Sequence, residues 1–89
     1  MAEVRKHMVF HGRVQGVGFR YTAKSLADSL KLTGWVKNEW NDTVVMEVQG
    51  REVLIQKMLE SLNRNRFISI EWIDTEEKPL ETESCFSVR

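Results

Sequence analysis

The chain has 89 residues, which is enough for one domain with one hydrophobic core and too short for two. Thirteen basic and thirteen acidic residues give a formal net charge of zero, which argues against a dedicated binder of nucleic acid or anionic membranes. The single cysteine, Cys85, cannot form an internal disulfide, and no apolar run has membrane-spanning length. We therefore predict one cytoplasmic domain, residues 1–89, with Cys85 buried as a small apolar side chain rather than acting as a nucleophile.

The first predicted strand runs from Lys6 to His11, where apolar and more polar positions alternate with a period of two. This alternation predicts that Met8 and Phe10 face the core. His7 and His11 fall on the opposite face of the strand. We expect both histidines to be simply solvated there rather than to act as bases.

A glycine-rich segment, Gly12 to Arg20 with the sequence GRVQGVGFR, connects this strand to a predicted helix. Three glycines in seven residues allow positive φ angles and a close approach of the backbone to a ligand. The N-terminus of the following helix and the forked guanidinium of Arg20 add positive charge at the same place. The spacing is typical of an anion-binding loop and also of a plain tight connection, and by itself it does not separate the two.

The first helix is predicted from Phe19 to Leu30, because apolar residues recur there at spacings of three and four and form one stripe. The stripe consists of Phe19, Ala23, Leu26, Ala27 and Leu30. Thr33 and Gly34 are expected to stop the helix. Gly34 suits either the left-handed residue that ends a helix or the start of a strand lying close to another backbone.

A β-hairpin is predicted next, with strands Trp35–Trp40 and Thr43–Gln49 and a two-residue turn at Asn41 and Asp42. Alternation on the second strand assigns Val44, Met46 and Val48 to the core. Because a positive φ suits glycine better than aspartate, we expect Asp42→Gly to raise the stability of the protein.

The second half of the chain contains one helix and two strands. Gly50 is predicted to begin the helix, and residues 63–66 to end it; its stripe is Ile55, Met58, Leu59 and Leu62. A strand follows at Ile68–Ile73, with Ile68, Ile70 and Trp72 alternating against their neighbours, then a polar loop over 74–82, then a short last strand at Phe86–Val88. The order β-α-β-β-α-β-β predicts a ferredoxin-like α+β sandwich, an antiparallel sheet with two helices on one face, and leaves the position of the last strand open.

Two segments resemble the motifs of the acylphosphatase family: the loop GRVQGVGFR, and Gly34-Trp35-Val36-Lys37-Asn38. Two motifs at the expected separation make the resemblance specific, and it extends over essentially the whole chain from about Val4. The pattern departs from the family at Asp42, where the family usually has glycine. The resemblance is to the small, stand-alone bacterial type.

The resemblance implies that Arg20 binds a phosphate and that Asn38 holds the attacking water. The backbone of the loop would bind the same phosphate through Gln15, Gly16, Val17, Gly18 and Phe19. In a split βαβ sheet the strand carrying Asn38 lies near the first strand, and period two turns Asn38 toward the helices and the glycine loop. Without the resemblance, an asparagine at this place more often satisfies a strand end or a turn.

The implied activity is the hydrolysis of acyl phosphates to a carboxylate and inorganic phosphate. An acyl phosphate expels a carboxylate whose conjugate acid has a pKa of about 4, so the reaction needs neither a general acid nor a metal. The loop contains no serine, cysteine, aspartate or histidine. We expect no cofactor and no metal, a small-molecule acyl phosphate as partner, phosphate or sulfate as a product mimic, and a monomer.

Two other functions are open to this sequence. The same fold could serve as a non-catalytic anion-binding or protein-interaction module, which turnover of an acyl phosphate would exclude. An RNA-binding sheet is suggested only by Trp35, Trp40 and Trp72, and the net charge of zero disfavours it.

Overall fold

A computed structural model describes residues 2–89, which form seven elements. The strands are β1 (Glu3–Arg13), β2 (Thr33–Asn38), β3 (Val44–Arg51), β4 (Ser69–Lys78) and β5 (Phe86–Val88), and the helices are α1 (Phe19–Leu30) and α2 (Glu52–Arg64). The strands form one sheet in the order β4-β1-β3-β2-β5. Both helices pack on one face of this sheet, and the predicted ferredoxin-like α+β fold is confirmed.

The core lies between the sheet and the two helices. Met8 and Phe10 of β1 are buried, as are Val44, Met46 and Val48 of β3, so the period-two alternation is confirmed on both strands. The buried residues of the α1 stripe are Phe19, Ala23 and Ala27, and those of the α2 stripe are Ile55, Met58 and Leu62. The remaining predicted stripe residues, Leu26, Leu30 and Leu59, are partly buried against the same core.

The short last strand makes the sheet mixed rather than wholly antiparallel. β5 pairs with β2 in parallel, from Gly34 opposite Phe86 to Val36 opposite Val88. It occupies the edge of the sheet away from β4, which is the position that the sequence left open. Phe86 is buried in the core and anchors the strand.

Helix α1 has the predicted bounds, Phe19–Leu30, and α2 ends at Arg64 within the predicted range 63–66, but the start of α2 differs from the prediction. Helix α1 is capped at its C-terminus by Lys31, which has a φ of 59°, and the N–H of Leu32 donates to the carbonyl of Ala27 at 2.8 Å. Of the two roles predicted for Gly34, the second is confirmed: Gly34 lies at the start of β2, where a Cβ would collide with the carbonyl of Glu47. Gly50 does not begin α2 but belongs to β3, which continues to Arg51.

The turn of the hairpin is longer than predicted. Glu39 donates its N–H to the carbonyl of Thr43 at 2.9 Å, which leaves a three-residue loop, 40–42, instead of a two-residue turn. Of the loop residues only Asp42 has a positive φ, 70°. A three-residue loop with its last residue in the left-handed region is a common hairpin connection, and it follows the right-handed twist of the strands.

Strand β4 extends through the acidic residues that were predicted as loop, and it ends at Lys78. A bulge also interrupts its alternation: His11 pairs with Trp72 and Gly12 with Ile70, so Glu71 is an extra residue on β4. The bulge turns Ile73 rather than Trp72 toward the core, and Trp72 is left 53% exposed on the other face.

The two histidines are not simply solvated, as predicted, but paired. His7 Nδ1 lies 2.6 Å from Glu47, and His11 Nε2 lies 2.9 Å from Asp74, while its ring stacks on Trp72. Both pairs lie on the face of the sheet away from the helices. His11 is thus engaged outside the glycine loop.

The segment between β4 and β5 crosses the same open face and covers Arg5, which is completely buried. The Arg5 guanidinium donates to Glu47 at 2.8 Å and contacts Glu83 of the crossing segment. Gln49 exchanges two hydrogen bonds with the backbone of Glu81, at 2.8 and 2.9 Å. These ionic and amide contacts attach the segment to the sheet.

Cys85 lies at the end of the crossing segment and is exposed, not buried as predicted, because Phe86 fills the core position beside it. Within residues 2–89, no helix is long and apolar enough to cross a membrane.

Candidate active site

The glycine loop turns the chain from the end of β1 into the start of α1. Val14 is buried and anchors the loop on the core, whereas Gly16 and Gly18 have φ angles of 73° and 80°. A Cβ at either glycine would meet nothing within 4 Å, so the backbone conformation, and not lack of space, requires glycine there. Gly18 is the N-cap of α1, and the free N–H groups of the first helical turn follow it directly.

Arg20 and Asn38 line one small cavity of about 110 Å³ at this turn. The other lining residues are Val14, Gly16, Gly18, Phe19 and Tyr21. Asn38 is the last residue of β2 and is exposed, and Arg20 is half-buried in the first turn of α1. The topology thus brings together two side chains separated by a whole helix in the sequence.

The Arg20 guanidinium is oriented by one main-chain contact. Its Nη1 donates to the main-chain oxygen of Arg89 at 3.0 Å, and Arg89 is itself held by a hydrogen bond from its N–H to the carbonyl of Val36 at 2.8 Å. Within residues 2–89, no side-chain carboxylate lies within ion-pair distance of Arg20. Because a guanidinium has five N–H donors, Arg20 keeps several for an anion in the cavity.

Gln15 contributes to the site through its side chain, which the sequence did not indicate. Its Nε2 donates to the carbonyls of Glu39 and Thr43 at 2.6 and 2.8 Å. These carbonyls flank the hairpin loop that follows Asn38. The glycine loop and the strand end that carries Asn38 are therefore tied together by one amide group.

The five predicted backbone residues do not all line the cavity. Gly16, Gly18 and Phe19 do so, whereas Gln15 faces the hairpin and Val17 lines a neighbouring groove. Neither the Arg89 contact nor the Gln15 contact had a local signal in the sequence, since both join residues more than twenty positions apart.

The cavity can hold a small anion without help from an acid or a base. None of its lining residues is an aspartate, glutamate, histidine or cysteine. Residues 2–89 contain no group of three such side chains placed to hold a metal ion. A guanidinium, a helix N-terminus and a glycine-rich backbone surround a space in which an exposed amide could position a water molecule.

The family model for acylphosphatases matches residues 6–88 of this chain. The chain belongs to the acylphosphatase family. An acylphosphatase of Ligilactobacillus salivarius is 40% identical over 83 residues, which cover 91% of this chain and 92% of that protein. One of Clostridium acetobutylicum is 44% identical over 79 residues, covering 86% and 87%. The crystal structure of acylphosphatase from Bacillus subtilis matches with a TM-score of 0.89 and 35% identity over 97% of this chain and 98% of that chain.

The departure from the acylphosphatase pattern lies at Asp42, and the structure shows why a glycine suits this position. The φ of 70° there lies in the left-handed region, which glycine adopts without steric cost. Asp42 does not line the cavity that contains Arg20 and Asn38. The departure thus affects the hairpin turn and leaves the cavity unchanged.

Proposed function

We propose that the protein hydrolyses acyl phosphates, as its family does, with the phosphate held by Arg20 and the loop backbone and the attacking water held by Asn38. The observation that carries these roles is that Arg20 and Asn38 line the same cavity as Gly16 and Gly18. The cavity is small enough to suit a phosphoryl group and leaves the acyl group outside.

In this mechanism the water oxygen forms a bond to phosphorus while the bond between phosphorus and the acyl oxygen breaks. The carboxylate leaves with the bonding electron pair and needs no proton, because its conjugate acid has a pKa of about 4. The proton of the water passes to an oxygen of the phosphate. Phosphoryl transfer of this kind depends mainly on positioning and on stabilisation of charge, which Arg20 and the N–H groups provide.

Arg20 and Asn38 have different chemical roles, and their variants should differ accordingly. Arg20→Ala should raise KM, lower kcat and abolish inhibition by inorganic phosphate, because Arg20 binds the phosphate in both ground and transition states. Arg20→Lys should fail almost as badly, since an ammonium lacks the fork that meets two oxygens. Asn38→Ala should lower kcat by roughly 10²–10³ and leave phosphate inhibition nearly unchanged.

The measurement is steady-state hydrolysis of benzoyl phosphate with a chelator present, together with a phosphate titration and an unfolding curve for each variant. Arg51→Ala and Asn63→Ala are the matched controls, because both residues are exposed and lie outside the cavity. A folded Asn38→Ala variant with wild-type kcat would remove Asn38 from the mechanism. If the wild-type protein bound phosphate without turning over benzoyl phosphate, it would be a binding module instead.

Three further points belong to the proposal. Sulfate or phosphate should occupy the cavity and raise the melting temperature, and Arg20→Ala should remove most of this rise. The protein should sediment as a monomer. The cytoplasmic location predicted from the sequence is tested by fractionation of cells that produce the protein from its own gene.

A further inference from the structure

A second depression, which we call the acyl groove, lies beside the glycine loop. It is lined by Arg13, Val17, Arg66, Phe67, Ser69 and Glu71 and has a volume of about 430 Å³. Val17 lies between Gly16 and Gly18, both of which line the small cavity that contains Arg20 and Asn38. The loop that would hold the phosphate therefore forms a wall of both depressions, and the acyl part of a bound substrate would extend toward this groove.

The acyl groove carries two arginines without carboxylate partners. Within residues 2–89, neither Arg13 nor Arg66 forms an ion pair. Glu71 is the only acidic lining residue, so the lining has two positive charges and one negative charge. In a chain with a net charge of zero, this local excess of positive charge favours an anionic group.

Two of the lining residues are held in place by a turn. Asn65 accepts a hydrogen bond at its main-chain oxygen from the N–H of Ile68 at 3.2 Å, and its side chain accepts one from the N–H of Phe67 at 2.9 Å. Arg66 and Phe67 are therefore the two corner residues of a β-turn that Asn65 stabilises. Buried Ile68 anchors this turn on the core, so its corner residues lie at a defined place beside the loop.

The groove also offers an apolar surface. Phe67 is 62% exposed, the guanidinium carbon of Arg66 lies 5.1 Å from the centre of its ring, and Val17 also lines the groove. A flat or aliphatic carbon chain would lie against Phe67 and Val17, while a negative group at its far end would reach the arginines.

We propose that the acyl groove binds the acyl part of the substrate and selects acyl phosphates that carry a second negative group, with Arg13 and Arg66 as the residues that determine this preference. The inference rests on the proposed function, since it assumes that the phosphate lies in the cavity with Arg20. It assigns a substrate class, the monophosphates of dicarboxylic acids.

The test compares 4-carboxybenzoyl phosphate with benzoyl phosphate, which differ only in the second carboxylate. The measured quantity is the ratio of their kcat/KM values, relative to the same ratio in the wild-type protein, at an ionic strength of about 20 mM. Arg13→Gln and Arg66→Gln should each lower this ratio by about 1.5- to fivefold, the range expected for one exposed ion pair. Glu71→Gln should raise it about two- to threefold, because it removes a repulsive charge from the same groove. At about 150 mM ionic strength these effects should shrink.

Arg51→Gln is the matched control, since it removes the same charge at the opposite end of the sheet. There Arg51 of β3 lies opposite Glu3 of β1 in the strand register. It should leave the ratio unchanged. If Arg13→Gln and Arg66→Gln left the ratio unchanged, or if Arg51→Gln lowered it equally, the acyl groove would have no role in selection. Failure of the wild-type protein to hydrolyse benzoyl phosphate would instead overturn the proposed function, and the two failures are therefore distinguishable.

Discussion

Replacement of Gln15 by alanine tests whether the contact between the glycine loop and the hairpin supports the reaction. The Gln15 side chain makes two hydrogen bonds, to the carbonyls of Glu39 and Thr43. Each carbonyl keeps one other partner, because Asp42 donates to Glu39 and the Glu39 N–H donates to Thr43. No buried group is orphaned by the change, so each lost bond should cost the usual net value of about 1 kcal/mol, or about 2 kcal/mol together.

The effect on stability should be clear in thermal unfolding. A loss of 1 kcal/mol lowers the melting temperature of a domain of this size by about 4–8 °C, so Gln15→Ala should unfold roughly 8–16 °C below the wild-type protein. Gln15→Glu should be less stable still at neutral pH. A carboxylate cannot donate, and it would oppose two carbonyl oxygens in nearly the same geometry.

The effect on the reaction should fall on kcat. Asn38 directly precedes Glu39, so a looser hairpin lets the Asn38 amide move, and kcat should drop by about tenfold, below the roughly 10²-fold cost of a 1 Å displacement. Arg20 is oriented by Arg89 and not by Gln15, so inhibition by inorganic phosphate should change little. Steady-state kinetics, a phosphate titration and thermal unfolding are measured on the same preparations.

Gln56→Ala, on the exposed face of α2, is the matched control and should behave as the wild-type protein. The reasoning fails if Gln15→Ala retains the wild-type kcat and stability, or if Gln15→Glu is as stable as the wild-type protein. A loss of phosphate binding equal to the loss of kcat would show that Gln15 supports the whole loop and not the Asn38 side of it.

Two other variants test the surrounding fold. Asp42→Gly should raise the midpoint of chemical denaturation by the equivalent of about 0.5–1 kcal/mol, because it relieves a left-handed residue at a φ of 70°, and a lower midpoint would contradict the assigned turn. Burial alone would raise the pKa of Glu47, but the hydrogen bonds with His7 and Arg5 outweigh it and hold that pKa below its usual value. The Glu47 carboxylate therefore contributes stability that is complete above its unfolded-state pKa of about 4.3 and is lost as the pH falls through the lower folded-state value. Glu47→Gln should lower the stability at pH 7 and flatten the decrease below about pH 4.3; an unchanged decrease in unfolding titrations would show that other groups cause it.

The sequence predicted those elements whose pattern is purely local. The alternation around Met8 and Phe10 and the stripes of the two helices depend on neighbours within four residues, and the structure confirms them. The alternation that grouped Trp72 with Ile68 and Ile70 was wrong because the bulge at Glu71 shifts it by one residue. Nothing in the strand itself marks that bulge, since it exists only in the pairing with β1.

The contacts that complete the candidate site were beyond the reach of the sequence for the same reason. Gln15 bonds to residues 24 and 28 positions away, and Arg20 to one 69 positions away. The hairpin loop also had to be known before the Gln15 contact could be inferred, and its length was predicted one residue too short. The prediction for Arg20 and Asn38 rested on the family motifs and not on their surroundings.

The position of the site follows from the directions of the strands. Strands β1 and β2 each run antiparallel to β3, which lies between them, and β5 runs parallel to β2. The carboxyl ends of all three strands therefore lie at the same end of the sheet. The glycine loop leaves the end of β1, Asn38 closes β2, and Arg89 follows β5.

Strand β4, the second antiparallel partner of β1, also contributes to this end of the sheet. Strand β4 runs in the opposite direction and therefore begins where β1 ends, with Ser69 opposite Arg13. The turn that carries Arg66 and Phe67 immediately precedes β4, so it reaches the glycine loop from the other side. The split βαβ order thus places the proposed phosphate site between β1 and β2 and the acyl groove between β1 and β4. A substrate that fills both would span the glycine loop, and Val17, which lines the acyl groove, would then lie next to the bond between the phosphate and the acyl group.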